Sequence, residues 1–400
     1  MARSEKLKEM YPFDMYAYAN GLTEGELTVL QNLRHFLETD VKPVVNEYWE
    51  KADFPFEIFK GIAETGIMNS PLLFEGREGA RKPSELYNAF LYFELAKLDA
   101  SIATFYTVHG GLCYNTILLG GSEAQIEKYA PKIASWEWQG CFGLTEPDHG
   151  SDIAGGLATT AEKVGDKWII NGEKRWIGGA STADILPIFA RDKEDGKIKC
   201  FIVKGGSKGL TVENIKHKVS LRLVQNGHIT LENVEVLDED RLENVNGFKD
   251  VARILRSTRA DIAHLATGMT IGATEAALKY IKDRDQFGRK LSGFQLVQEK
   301  VARMQANVVS TMAYSVQLAN MQEQGHFLEE NSALAKMHNA MRMRETVAWG
   351  REVCGGNGIT LETDVARFFA DGEAIYSYEG THEINALIVG RFLTGVGAFV

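Results

Sequence analysis

The 400-residue sequence has only four cysteines, Cys113, Cys141, Cys200 and Cys354, with no CxxC pair and no histidine cluster at metal-ligand spacing. A disulfide framework or a metal site is therefore not expected, and the pattern predicts buried, reduced thiols in a cytoplasmic protein. Nowhere do about 18 apolar residues run together, so no integral membrane segment is expected. The opening MARSEKLKEMYPFDMY lacks the apolar core of a secretion signal. Long blocks of one charge are missing too. The net charge of −10 is spread along the chain, which argues against nucleic acid as a partner. No GxGxxG opens a strand–helix unit, and neither GxxxxGK[ST] nor GxSxG occurs. A Rossmann or P-loop enzyme is not expected.

What is present, 44% hydrophobic and 24% charged residues, describes an ordinary globular chain long enough for two or three domains. Residues 1–135 read as an N-terminal all-α domain. Leu27, Leu30, Leu33, Phe36 and Leu37 recur at helical spacing, and residues 84–121 are apolar all round, as a buried helix is. Ser122 marks a helix start, with Glu123 at its positive end. Residues 136–242 read as a central β domain, a small barrel or sandwich. Asn171-Gly172 and Asn226-Gly227 each carry a two-residue hairpin signal, the second flanked by alternating Leu221, Leu223 and Ile229, Leu231, Val234. ADILPIFARD and IKCFIVKGG add two strands. Residues 243–400 contain four periodic helical runs, which predicts a C-terminal four-helix bundle. The fold class is mainly α with a central β domain.

Four polar islands interrupt this apolar pattern: CFGLTEPDHGSD (141–152), KRWIGG (174–179), DRDQFGRKLSGFQ (283–295) and YEGTHE (378–383). Each alone reads as a connection or a helix start. In the last, Thr381 is the better N-cap and Glu383 suits the first turn. Glu379 then lies upstream of the cap, where the local pattern allows either helix initiation or proton abstraction.

In this order and spacing, GLTEPDHGSD, RDQFGRKLSGFQ, GGNGI and YEGTHEINALIVGR resemble the acyl-CoA dehydrogenase family from about residue 20 to the end. YEGTH and ALIVGR are most similar to its glutaryl-CoA dehydrogenase branch. LDASIATF, GSEAQIEKY and KRWIG are similar to the plant-type short-chain acyl-CoA oxidases of that branch. The resemblance implies the α–β–α three-domain architecture and FAD-dependent α,β-dehydrogenation of an acyl-CoA thioester to trans-2-enoyl-CoA, as in fatty acid β-oxidation. An α-carbon proton is a poor acid, so the chemistry needs a carboxylate base, donors for the thioester oxygen and a flavin against Cβ.

By resemblance, Glu379 is the base, its backbone N–H serves the thioester oxygen, and Tyr378 and Gly380 adjoin the substrate. Some relatives place the base just before the arginine of STR, where this sequence has Thr258. Leu144, Thr145, Trp176 and Gly178 would meet the flavin ring, and Ser151 the pyrophosphate and pantetheine. Arg284, Phe287, Gln295, Gly355 and Gly356 would reach the FAD of a neighbouring subunit, and Glu352 would also bind FAD. Thr381 and Glu383 would approach the adenosine half of FAD, and Arg259 the CoA portion. An arginine supplied by another chain implies an oligomer, commonly a homotetramer, and the electron acceptor implied is an electron-transfer flavoprotein.

Two departures matter. Gly178 stands where the family has a threonine that bonds flavin N5, which leaves an acyl-CoA oxidase open; the closing AFV carries no peroxisomal tripeptide. Ala103 stands where glutaryl-CoA dehydrogenases have an arginine, which predicts an uncharged acyl chain because a buried carboxylate without a cation is costly. A non-catalytic acyl-CoA or flavin-binding protein is the alternative from another class.

Overall fold

The computed structural model describes residues 3–398. Residues 1, 2, 399 and 400, at the outer ends of the first and third segments and of the closing AFV, lie outside the described residues.

The first segment is helical: α1 (Arg3–Met10), α2 (Glu24–Phe36), α3 (Lys42–Lys51), α4 (Ile58–Glu64), α5 (Glu85–Leu98), α6 (Ala100–Tyr106), α7 (Tyr114–Gly120) and α8 (Glu123–Ala134). A capping box between Thr23 and Glu26 starts α2, and another between Ser122 and Gln125 starts α8. Helices α5 and α6 are buried almost throughout. Between α6 and α7 the chain makes a π-helical turn, Thr107–Cys113, in which the Tyr106 ring packs over Gly110. Such turns are rare and concentrate at functional sites.

After the short α9 (Ile153–Gly156) come β1 (Thr160–Val164), β2 (Lys167–Gly178), β3 (Ile185–Asp192), β4 (Ile198–Lys204), β5 (Leu210–Asn214) and β6 (Asn226–Leu237). They form one six-stranded mixed sheet in the order β4-β3-β1-β2-β6-β5. Both hairpin expectations need correction. Asn171-Gly172 does not turn the chain but forms a bulge inside β2, which runs straight through it. A Cβ on Gly172 would sit 2.6 Å from the Thr159 hydroxyl, and Asn171 Oδ1 accepts from the backbone of Asn233 at 2.8 Å. The glycine thus serves a close approach, and the hairpin is made at Gly165-Asp166, where Val164 pairs with Lys167. Asn226-Gly227 begins β6. Leu221 and Leu223 are not strand residues but buried loop residues, because the Leu221 N–H is claimed by Asp371 at 2.6 Å.

The last segment holds α10 (Phe248–Asp283), a hairpin of β7 (Asp285–Gln286) and β8 (Arg289–Lys290), α11 (Gln295–Glu323), α12 (Glu329–Val353), α13 (Val365–Ser377) and α14 (His382–Thr394). The four expected runs are α10, α11, α12 and α14. Helix α13 escaped the periodicity because its buried face carries Arg367, Asp371 and Gly372 among the apolar residues. At Gly268 and Gly272 a Cβ would lie 2.8 Å from the Tyr92 carbonyl and 2.3 Å from that of Lys97, so α10 and α5 meet at backbone distance.

Buried polar contacts on α13 join all three segments. Arg367 donates to Asp99 at 3.1 Å and also pairs with Asp364. Asp371 faces the Leu221 N–H from the β segment and the Trp49 indole N–H at 3.4 Å from the first. Arg367→Met leaves the Asp99 carboxyl buried without its cation, a loss of about 3–5 kcal/mol. Calorimetry is expected to show the first unfolding transition clearly lowered, and an unchanged transition would refute the anchoring role.

Candidate active site

Helix α13 ends at Ser377 and α14 is capped by Thr381, whose hydroxyl accepts from the Ile384 N–H at 3.2 Å. Glu379 therefore lies in the turn between two helices and takes no part in capping. Its φ of +56° is left-handed, an uncommon state for a residue with a Cβ, and Gly380 follows at +83°. Several groups hold this turn. Fully buried Lys336 on α12 donates to the carbonyls of Tyr376 at 2.7 Å and Gly380 at 2.9 Å. The Asn385 amide donates to the Gly380 and Thr381 carbonyls, each at 2.9 Å. The Tyr378 hydroxyl meets that of Thr104 at 3.0 Å.

The Glu379 carboxylate accepts a hydrogen bond of 2.5 Å from the Thr258 hydroxyl on α10. Burial pushes the carboxyl above the ordinary glutamate range, while Thr258, Arg259 and Lys336 pull it back. Burial in turn lowers the Lys336 ammonium to about 8, opposed by the charge of Glu379. Arg259 is buried against Glu329 at 3.2 Å, and its Nε has no partner.

A second group lies at the edge of the sheet. Buried Leu144 and half-buried Thr145 offer backbone there. The Leu144 carbonyl accepts from Lys174 Nζ at 3.1 Å, and the Thr145 carbonyl from the Arg175 N–H at 2.8 Å. A buried Lys174–Glu146 pair, 2.8 Å, fixes the 141–152 loop against β2. The register of β2 slips between Lys174 and Ile177, and this bulge puts Trp176 at φ +68° with 54% of its surface exposed. Gly178 follows, and a Cβ there would lie 3.0 Å from Val108 in the π-turn. Ser151 is exposed on the same loop. An indole held out by a strained bulge, beside fixed backbone and a polar loop, fits a flat heteroaromatic ring with a polar tail.

The third group is far away. Arg284, Phe287 (93% exposed), Gln295 and Glu352 surround the outer end of α10, and Glu352 pairs with Lys300 at 2.8 Å. A Cβ on Gly355 or Gly356 would meet nothing within 4 Å. From Thr258 to Arg284 is roughly 40 Å of helix at about 1.5 Å per residue. The chain does not bring these residues to its own Glu379. Thr381 and Glu383 sit beside the Glu379 turn, half-buried and exposed respectively.

Three family models match in sequence: acyl-CoA dehydrogenase N-terminal domain over residues 23–137, middle domain over 141–234 and C-terminal domain over 245–394. The short-chain-specific acyl-CoA dehydrogenase of Clostridium acetobutylicum is 31% identical over 372 residues, covering 92% of this chain and 97% of that one. The chain belongs to the acyl-CoA dehydrogenase family. A glutaryl-CoA dehydrogenase from Mycobacterium smegmatis, solved in complex with FADH2, superposes with a TM-score of 0.90 at 30% identity, covering 97% and 99%. Subunit CarC of the caffeyl-CoA reductase-Etf complex of Acetobacterium woodii is 29% identical, covering 90% and 96%. The protein is an FAD-dependent acyl-CoA dehydrogenase. No described helix is long and apolar enough to cross a membrane, and no cluster of described His, Cys, Asp or Glu residues could hold a metal.

For an acyl-CoA dehydrogenase, the residues that sequence reasoning missed are Lys336, Asn385, Thr104 and the Lys174–Glu146 pair. Lys336 left one signal, a lone cation in the alanine-rich SALAKMHNA. Lys336→Met or Thr258→Val removes an influence that lowers the Glu379 pKa. The acidic limb of the kcat/KM–pH profile is therefore expected to move to higher pH in both variants. A profile superimposable on the parent's would show that neither group tunes the carboxyl.

Proposed function

We propose that Glu379 removes the α-proton of an acyl-CoA thioester while hydride leaves Cβ, giving trans-2-enoyl-CoA. The observation that carries this reading is the Glu379 carboxylate, half-buried in a left-handed turn and bonded to Thr258 at 2.5 Å. A raised pKa suits a base working near neutrality, and the fixed turn removes the entropy of finding the substrate. Tyr378, held by the Thr104 hydroxyl at 3.0 Å, and Gly380 are read as flanking the substrate beside the carboxylate. Bound FAD supplies the hydride acceptor. Leu144, Thr145, Ser151, Trp176 and Gly178 would hold its ring and pyrophosphate, and Thr381 and Glu383 would serve its adenosine half. Arg259 serves CoA.

Arg284, Phe287, Gln295, Glu352, Gly355 and Gly356 are read as a grip on the FAD of another subunit, most economically in a homotetramer. Their separation from Glu379 supports this, as does the fork geometry with which arginine binds a diphosphate. The domains proposed are 1–135, 136–242 and 243–400. Electrons pass to an electron-transfer flavoprotein, a reading supported by the Etf complex in which the Acetobacterium relative is named. Gly178 favours a second reading, an acyl-CoA oxidase, because no side chain there donates to the flavin. The acyl chain is uncharged, since Ala103 offers no cation.

Anaerobic flavin bleaching by a short acyl-CoA is expected to slow about 10²–10⁴-fold in Glu379→Gln, the usual share of a general base. Bleaching at the parent rate would overturn the assignment. Peroxide formed in step with enoyl-CoA, with no gain from the flavoprotein acceptor, would select the oxidase. Light scattering is expected to show more than one chain per particle, and Arg284→Ala to lose FAD on dilution.

A further inference from the structure

Gly178 ends β2 without a side chain, yet the space beside it is filled. A Cβ there would lie 3.0 Å from a methyl of Val108 and 3.5 Å from a methyl of Val224. The two valines come from different segments, Val108 from the π-turn and Val224 from the loop before β6, and both are buried. Their methyls take the volume that a side chain at position 178 would need.

Each valine is held in place by the polar contacts of its surroundings. His109, next to Val108, accepts the Gly140 N–H at Nδ1 over 3.2 Å. Its hydrogen is therefore on Nε2, which donates to the Ile133 carbonyl at 2.9 Å. The Trp136 ring stacks on this imidazole with centroids 4.0 Å apart. On the other side the Lys218 ammonium donates to the carbonyls of Leu221 at 2.8 Å and Val224 at 2.5 Å. Both nitrogens of His109 are committed, and burial lowers the ring to about 4, so it stays neutral near pH 7.

This packing bears on where electrons can go. Dioxygen takes two electrons from a reduced flavin in the balance FADH⁻ + O₂ + H⁺ → FAD + H₂O₂, the proton coming from solvent. The first electron makes superoxide, an anion that needs room beside the ring and a donor or cation to steady it. At Gly178 the valine methyls fill the room, and the histidine beside Val108 offers neither a free N–H nor a charge. We propose that Val108 and Val224 seal the flavin edge at Gly178 against dioxygen, so that the reduced flavin keeps its electrons for a protein acceptor. The inference rests on the reading of Gly178 as a neighbour of the flavin ring, and it decides for the dehydrogenase over the oxidase.

The test reduces the holoenzyme with just enough dithionite, without acyl-CoA, and mixes it with oxygenated buffer while flavin absorbance is followed. The parent is expected to reoxidise more slowly than free reduced FAD. Val108→Ala opens a gap beside Gly178 and is expected to speed reoxidation about tenfold or more. Val108→Ile keeps the seal and is expected to stay at or below the parent rate. A parent as fast as free FAD overturns the proposal, as does Val108→Ala at the parent rate or Val108→Ile as fast as Val108→Ala. So does a gain confined to flavin released from the protein, which rapid filtration separates. Thermal unfolding checks the packing itself. Gly178→Ala is expected to lower the first transition, and the double variant with Val108→Ala to lose less than the two single losses together. Losses that simply add would overturn the contact. No acyl-CoA takes part, so failure here leaves the Glu379 assignment to its own bleaching test.

Discussion

The burial of charge on α13 is the constraint on which the other parts depend. A guanidinium and two carboxyls are withdrawn from water there, and each is tolerated only because a different segment supplies its counterpart. Asp99 comes from the N-cap of α6, where the same carboxylate also accepts the Ser101 and Ile102 N–H groups. Leu221 comes from the loop before β6, pinned at φ +48°. That loop is further tied to α3 by Arg222, which donates to the Trp49 and Glu50 carbonyls at 2.8 and 2.7 Å. Arg367 and Asp371 cannot be satisfied by their own helix, so α13 settles only when the three segments meet. The chain leaving that helix is the Glu379 turn.

That turn carries a second, smaller strain. A left-handed glutamate costs on the order of 1–3 kcal/mol and persists where its surroundings over-determine it. The Lys336 ammonium bridges the carbonyls on either side of it, and Asn385 repeats the grip from α14. Charge and geometry are coupled here. The cation that fixes the backbone also steadies the carboxylate, while burial works the other way.

Much of this was legible beforehand. The α–β–α order, the four periodic helices and the caps at Ser122 and Thr381 follow from local patterns that tertiary packing did not override. Each Asn-Gly pair imitates a hairpin signal because a glycine that admits Thr159, or one pressed against Ala180 and Val212, looks in sequence like one that turns a hairpin. Helix α13 was missed for a related reason: its buried face is partly ionic, and periodicity counts only carbon. The partners of Glu379 come from residues 104, 258, 336 and 385, and no local pattern joins positions so distant. Resemblance named the carboxylate; only the fold shows what surrounds it.

The 2.5 Å contact between Thr258 and Glu379 also ties the longest helix to the turn. Two backbone positions 121 residues apart deliver side chains to one point in space. The helix and the turn therefore hold one point from two sides, so a shift of either would be felt at the Glu379 carboxylate.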